Sequence, residues 1–178
     1  MAVEQRRALD AAFVDDWNAR YTAAWNSGDG EGVAALCSED ISWRDAGLPE
    51  VVHGRDAVRQ FVEDTFHAWP DFHVEERGSV LVSDTEPLAL APYRMTGTFS
   101  GAWEPLEIAP TGARISVEGI DEWRFRDGLM CRYCTYYDSI DMARQMGVLP
   151  AAGSRAESLL GALQPLQARF QRRRAGLD

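Results

Sequence analysis

The chain has 178 residues, 46% of them hydrophobic and 26% charged, with a formal net charge of −10 at pH 7. This size and composition suit one domain with a sizeable core, and no apolar run approaches the length that a membrane span requires. The acidic balance argues against a nucleic-acid partner, because phosphate contacts supply most of that affinity.

The charge is uneven. Residues 150–178 hold five Arg against Glu157 and Asp178, a local +3, so residues 1–149 carry −13. The Arg172-Arg173-Arg174 run reads as a solvated tail. All 18 basic residues are arginine, which removes Schiff-base chemistry, lysine general bases and the phosphate-loop lysine. The N-terminus lacks the apolar stretch of a signal peptide, which predicts a cytoplasmic protein. Three cysteines suggest no disulfide framework. Cys131-x-x-Cys134 lies mid-strand, where residues i and i+3 face opposite sides, so packed thiols are expected. His53, His67 and His73 show no ligand spacing, and no metal site or cofactor is predicted.

In chain order, residues 4–26 predict an amphipathic helix with Leu9, Phe13, Trp17, Tyr21 and Trp25 on one stripe. Asn26-Ser27-Gly28 ends it, and Asp29 caps a short second helix packed through Val33, Leu36 and Cys37. Residues 41–45 alternate as a strand, with Ile41, Trp43 and Asp45 on one face. His53-Gly54 precedes a third helix over 55–68, which Pro70-Asp71 terminates. His53 and Arg55 are read as serving that helix start, and His67 as a surface histidine. Strands are predicted at 73–83, 88–100, 113–126 and 129–137, with short links that argue for an antiparallel meander. The loop over 102–112 is long enough to rim a site. A short helix follows at 139–146. Ser154-x-x-Glu157 then starts a last helix with Leu159, Leu160, Leu163 and Leu166, which Pro165 should kink or interrupt. Residues 1–149 form the predicted domain, and 150–178 a C-terminal helical extension with a basic tail.

The chemistry concentrates in the hairpin over 117–138, which turns at Asp127-Gly128. Asp121 shares a strand face with Val117, Gly119, Trp123 and Phe125. Burying such a group unpaired costs roughly 2–7 kcal/mol even when neutral, so it is either neutralised by an arginine or used. Asp138 shares a face with Met130, Cys134 and Tyr136 if the strand runs on to it. It also precedes a helix, so two readings stay open on spacing alone: helix cap and catalyst.

Several short motifs follow one another in a telling order. They are Ala24-Trp25-Asn26-Ser27-Gly28-Asp29, His53-Gly54-Arg55-Asp56-Ala57-Val58, Pro70-Asp71-Phe72 and Gly97-Thr98-Phe99-Ser100-Gly101. Pro110-Thr111-Gly112-Ala113-Arg114, Asp127-Gly128, Tyr136-Tyr137-Asp138 and Gln145-Met146-Gly147 complete the series. Together, over residues 20–147, they resemble the SnoaL-like polyketide cyclase (ester cyclase) family of the NTF2-like superfamily. The resemblance implies an α+β fold: a cone-shaped NTF2-like barrel, N-terminal helices packed on a curved antiparallel sheet, with a deep apolar pocket and no cofactor. It implies closure of a polyketide ring by an intramolecular aldol step, with Asp138 as the general acid/base. The family's other polar pocket residue is often a histidine, and here that position holds Asp121.

The reading that results has Asp138 removing a proton α to a carbonyl, with protonated Asp121 or Tyr93 as hydrogen-bond donor to the enolate. Trp43, Tyr93, Met95, Phe99, Trp123 and Tyr136 are the candidate substrate-binding residues, with ordinary core as the competing role for the walls. The expected partner is an apolar, polyketide-like small molecule, and a homodimer is expected to cover the sheet. Epoxide opening or hydrolysis with help from Arg132, isomerisation, hydroxylation, or a non-catalytic binding or dimerisation module are the alternatives.

Overall fold

Aromatic and apolar side chains at helical spacing drive the first element onto a sheet that bends around it. A computed structural model describes residues 9–174 and 176. Residues 4–8 of the predicted first helix lie outside the described residues, as does the side chain of Leu166. Helix α1 spans Ala11–Asn26, with the Asp10 carboxylate accepting from Ala12 N at its start. Its inward stripe, Val14, Trp17, Tyr21 and Trp25, is buried. Gly28 takes the positive φ, 68°, that closes the helix end. Helix α2 (Gly30–Ala35) is capped by Asp29, as its sequence suggests.

Strand β1 (Cys37–Arg44) and the two-residue β2 (Val52–His53) precede helix α3 (Arg55–Ala68). The predicted strand over 73–83 is two short pieces, β3 (His73–Glu76) and β4 (Leu81–Val82), separated at Gly78 with φ 147°. Strands β5 (Leu88–Thr98), β6 (Arg114–Arg126) and β7 (Leu129–Tyr137) are long, and β5 alternates buried and half-buried residues along its whole length. The β6–β7 turn has Asp127 and Gly128 both at positive φ, 52° and 77°.

The sheet has seven strands, ordered β2-β1-β7-β6-β5-β3, with β4 also on β5. The expected antiparallel meander describes only part of it. Strand β1 pairs parallel to β7, with Trp43 opposite Tyr133. The pairing satisfies the edge of β7 with a strand from before α3, and no local pattern signals such a distant partner. The result is a mixed, curved, unclosed sheet with helices over its concave face, an α+β cone. Gly119 on β6 shows how tight that face is, since a Cβ there would lie 2.5 Å from the Tyr93 hydroxyl.

Helix α4 (Ser139–Gln145) follows β7, and α5 (Arg155–Arg174) closes the chain, running on through Pro165 without interruption. Helix α5 sends no side chain into the buried core among the described residues. Leu159, Leu160 and Leu163 are 63%, 52% and 51% exposed. The Arg144–Glu157 ion pair at 2.6 Å links it to α4. A chain ending at Pro150 should therefore unfold in one transition, with a melting temperature within about 4 °C of the full chain's, the shift of roughly 1 kcal/mol. Calorimetry that shows a much larger drop would mean that α5 packs on the body.

Candidate functional site

The open end of the cone is a cavity of about 270 Å³. Helix α1 gives it Tyr21 and Trp25, and α3 gives Phe61 and Thr65. The sheet contributes Tyr93, Met95, Asp121, Tyr133 and Tyr137. Trp103, Leu106 and Ile108 of the long loop and Met142 and Met146 near α4 form the rest of the rim. The rim loop is held to the β7–α4 side by Thr111, whose hydroxyl donates to the Met146 carbonyl at 2.6 Å.

Two carboxylates reach this apolar space. Asp121 leaves β6 on its inward face and is 7% exposed. Its Oδ1 accepts from the Tyr133 hydroxyl at 2.8 Å. Burial pushes its carboxyl up to about 7. Hydrogen bonding to Tyr133 and Thr135 opposes that rise, and the nearby charge of Asp45 adds to it. Asp45 stands just past β1, on the face shared with Ile41 and Trp43. Its Oδ1 accepts from the Tyr137 hydroxyl and from Gly47 N, both at 2.7 Å. Burial also raises the Asp45 carboxyl, against those two hydrogen bonds. Gly47 approaches this pair closely, and a Cβ there would lie 2.6 Å from the Tyr137 hydroxyl, which would have to shift.

The tyrosines complete a polar seam across the cavity floor. The Tyr93 hydroxyl meets the Thr135 hydroxyl at 2.6 Å, and Thr135 is paired across the hairpin with Asp121. Burial raises Tyr93, Tyr133 and Tyr137 well above the ordinary phenol range, with the neighbouring carboxylates adding to the effect. They are therefore neutral hydroxyl donors near pH 7. Around the seam the surroundings are poor in hydrogen bonds: the indole Nε1 groups of Trp17, Trp43 and Trp69 have no partner.

The structure brings together only part of the predicted site. Asp121, Tyr93 and Met95 line the cavity. Trp43, Phe99 and Trp123 are buried one layer behind it, at 0%, 0% and 1% exposure. Trp43 stacks on Tyr133 with ring centroids 3.8 Å apart, Phe99 stacks on Trp69, and Trp123 packs against Tyr21. They fix the lining residues and do not face the cavity. Tyr136 is 54% exposed on the outer face of the sheet. Asp138 is exposed and caps α4, its Oδ1 accepting from Ile140 N at 3.0 Å and Asp141 N at 2.9 Å. It does not line the cavity, although its neighbours Tyr137 and Ser139 do. Arg132 is likewise exposed and outside the cavity wall.

One irregularity explains the misplaced residues. Between Arg124 and Phe125 of β6 the partner on β7 jumps from Arg132 to Met130, leaving Cys131 as an extra residue. Beyond this bulge the inward set becomes Tyr133, Thr135 and Tyr137, so the face counted from Met130 no longer predicts Tyr136 or Asp138. The cavity also takes Asp45, Tyr133 and Tyr137, which the sequence reading does not number among the site residues. Asp45 was detectable in the alternation Ile41, Trp43, Asp45, which points an acid to the core side. Cys131 donates to the Arg124 carbonyl at 3.4 Å, and Cys134 is buried. Among the described residues, no group of three or more His, Cys, Asp or Glu is arranged to hold a metal ion, and no helix is long and apolar enough to cross a membrane.

Comparison with known proteins agrees with this architecture. A search of curated proteins finds no match to the sequence. TsrD from Streptomyces laurentii superposes with a TM-score of 0.67 at 23% identity, over 79% of this chain and 99% of that one. AclR from Streptomyces galilaeus, a candidate hydroxylase, gives 0.66 at 24% identity over 93% and 98%. A candidate polyketide cyclase from Silicibacter sp. TM1040 gives 0.63 at 26% identity over 74% and 93%. The family model described as the SnoaL-like domain matches residues 18–133, from the middle of α1 to the Tyr133 that holds Asp121. The chain thus belongs to the SnoaL-like domain family.

Proposed function

We propose that the chain is an enzyme for a small, largely apolar carbonyl substrate, in which Asp121 moves the proton, and that its reaction is ring closure of the polyketide-cyclase kind. The observation that carries this reading is the Asp121 carboxyl, sealed in an aromatic cavity and pushed up to about 7 by burial. A base so poised is ionised in a useful fraction near neutral pH and still strong enough to take a proton from carbon. The SnoaL-like family match and the likeness to the Silicibacter candidate polyketide cyclase support the choice of reaction.

In this mechanism Asp121 removes a proton from the carbon between two carbonyls. The enolate oxygen receives a hydrogen bond from a neutral hydroxyl of the seam, Tyr133 or Tyr93. The enolate carbon attacks a second carbonyl of the same chain, forming the new C–C bond, and the resulting alkoxide takes the proton back from Asp121. No electrons leave the substrate, so the step balances within one molecule. Asp138, exposed and held by its capping bonds, serves the α4 start in this account. The expected cytoplasmic setting and homodimer belong to the same proposal. Ile120 and Tyr136, paired across β6 and β7 and both exposed on the outer face, support the dimer. Sedimentation as a monomer at micromolar concentration would count against it.

Hydrogen–deuterium exchange at the α-carbon of an aromatic β-keto ester, followed by NMR, tests the first step without the natural substrate. The exchange rate should rise with pH through about 7. Asp121→Asn should slow it by about 10²–10⁴. Asp138→Ala should cost about 1 kcal/mol of stability and leave the rate near wild type. A rate lost in Asp138→Ala and kept in Asp121→Asn would return the base to Asp138. Exchange indifferent to both changes, with the ester still bound, would make the chain a binding module.

A further inference from the structure

The charge inside the cavity has no counterpart. Among the described residues that line it, the only acids are Asp45 and Asp121, and none is Arg, Lys or His. This is unusual company for two acids, because buried carboxylates are ordinarily paired with a cation. The arginines nearest in sequence do not serve: Arg44, Arg94, Arg124 and Arg132 are all outside the cavity wall. Arg94 and Arg124 are engaged by Glu118, Glu86 and Glu122.

Asp45 has a further peculiarity. Both of its hydrogen bonds, from Tyr137 and Gly47, converge on Oδ1. Oδ2 accepts none, yet it is not among the buried atoms that lack a partner. It is the oxygen left for a ligand. The same cavity has an aromatic wall that includes Trp25, Phe61, Phe72 and Trp103. Ring faces attract cations, and the attraction grows where water is excluded.

We propose that the cavity selects its ligand by charge, and takes an aromatic-sized amine in its protonated form, with the ammonium on Asp45 Oδ2, ahead of a neutral or anionic molecule of the same shape. This deepens the reading of the same cavity as a ligand site, but it does not depend on Asp121 acting as a base. It gives Asp45 a specificity role: a substrate that carries an amino group at the end opposite its reacting carbonyl would be oriented between the two carboxylates. An anionic ligand, such as a free carboxylate or a phosphate ester, meets two acids and no cation there.

The preference should itself depend on pH. The groups that face the two acids are Tyr21 from α1, Tyr93 from β5, and Tyr133 and Tyr137 from β7. All four are raised further from neutrality, so they stay uncharged. Helices α3 and α4 add no titratable group to the wall. Titration of Asp45 and Asp121 alone then sets the charge of the cavity.

Calorimetric titration of the intact protein with three probes of one shape tests this: 2-naphthylmethylamine, 2-naphthylmethanol and 2-naphthoate. At pH 8 the ammonium should bind at least tenfold tighter than the alcohol, with the carboxylate weakest. The advantage of the ammonium should shrink as the pH is lowered from 8 through about 7, where Asp121 takes up its proton. Asp45→Asn should remove the advantage at pH 8 while the alcohol keeps its affinity. The proposal is overturned if the alcohol or the carboxylate binds as tightly as the ammonium to the wild-type protein at pH 8, or if none of the three binds at millimolar concentration. Because these readouts need no turnover, the charge preference and the α-exchange assay of Asp121 can fail separately.

Discussion

Asp121 is buried where a carboxylate is costly, and the fold around it is built so that the cost is offset by hydroxyls, foremost that of Tyr133 at 2.8 Å, instead of a cation. That constraint depends on the β6–β7 hairpin. Its register sets Asp121 opposite Thr135 and Trp123 opposite Tyr133, which brings the hydroxyl of Tyr133 onto the carboxylate. Moving the pairing by one residue would turn Asp121 to solvent and end the perturbation. The parallel strand β1 then fixes the other side of Tyr133 by stacking Trp43 on its ring. Sheet topology and acid strength are therefore one problem in this molecule.

The helices contribute the dryness. Trp17, Tyr21 and Trp25 of α1 fill the concave face, and Trp17 and Tyr21 contact Trp123 on β6 directly. Phe61 of α3 packs on both Trp25 and Trp103, joining the helix layer to the rim loop. Aromatic side chains give this belt large buried area with few rotamers to fix, which suits a cavity that must keep its shape when empty. In contrast, α5 leaves Leu159, Leu160 and Leu163 in solvent and, among its described residues, adds nothing to the cavity wall.

Much of the scaffold was legible in the sequence because its signals are local. Helix α3 falls over the predicted 55–68, the Asp127-Gly128 turn has the expected dihedrals, and the inward alternation of β6 places Asp121 correctly. What failed is what depends on partners distant in sequence. A single extra residue at Cys131 shifted the inward face of β7 by one position. Alternation counted from Met130 therefore points Tyr136 and Asp138, both in the best-marked family segment, to the cavity in place of Tyr133 and Tyr137. The split of 73–83 at Gly78 and the parallel β1–β7 pairing have the same origin. Aromatic residues raised another ambiguity. Trp43, Phe99 and Trp123 have the composition of a cavity wall, and only packing decides that they support the wall from behind.

The account turns on the ionisation of one group in the cavity, and that can be observed directly. Carboxyl ¹³C shifts of the aspartates, followed by NMR from pH 4 to pH 9, should show one resonance, absent in Asp121→Asn, that titrates with a midpoint of about 7. A midpoint for Asp121 near the ordinary value of about 4 would mean that the cavity does not perturb it, and would contradict the central claim.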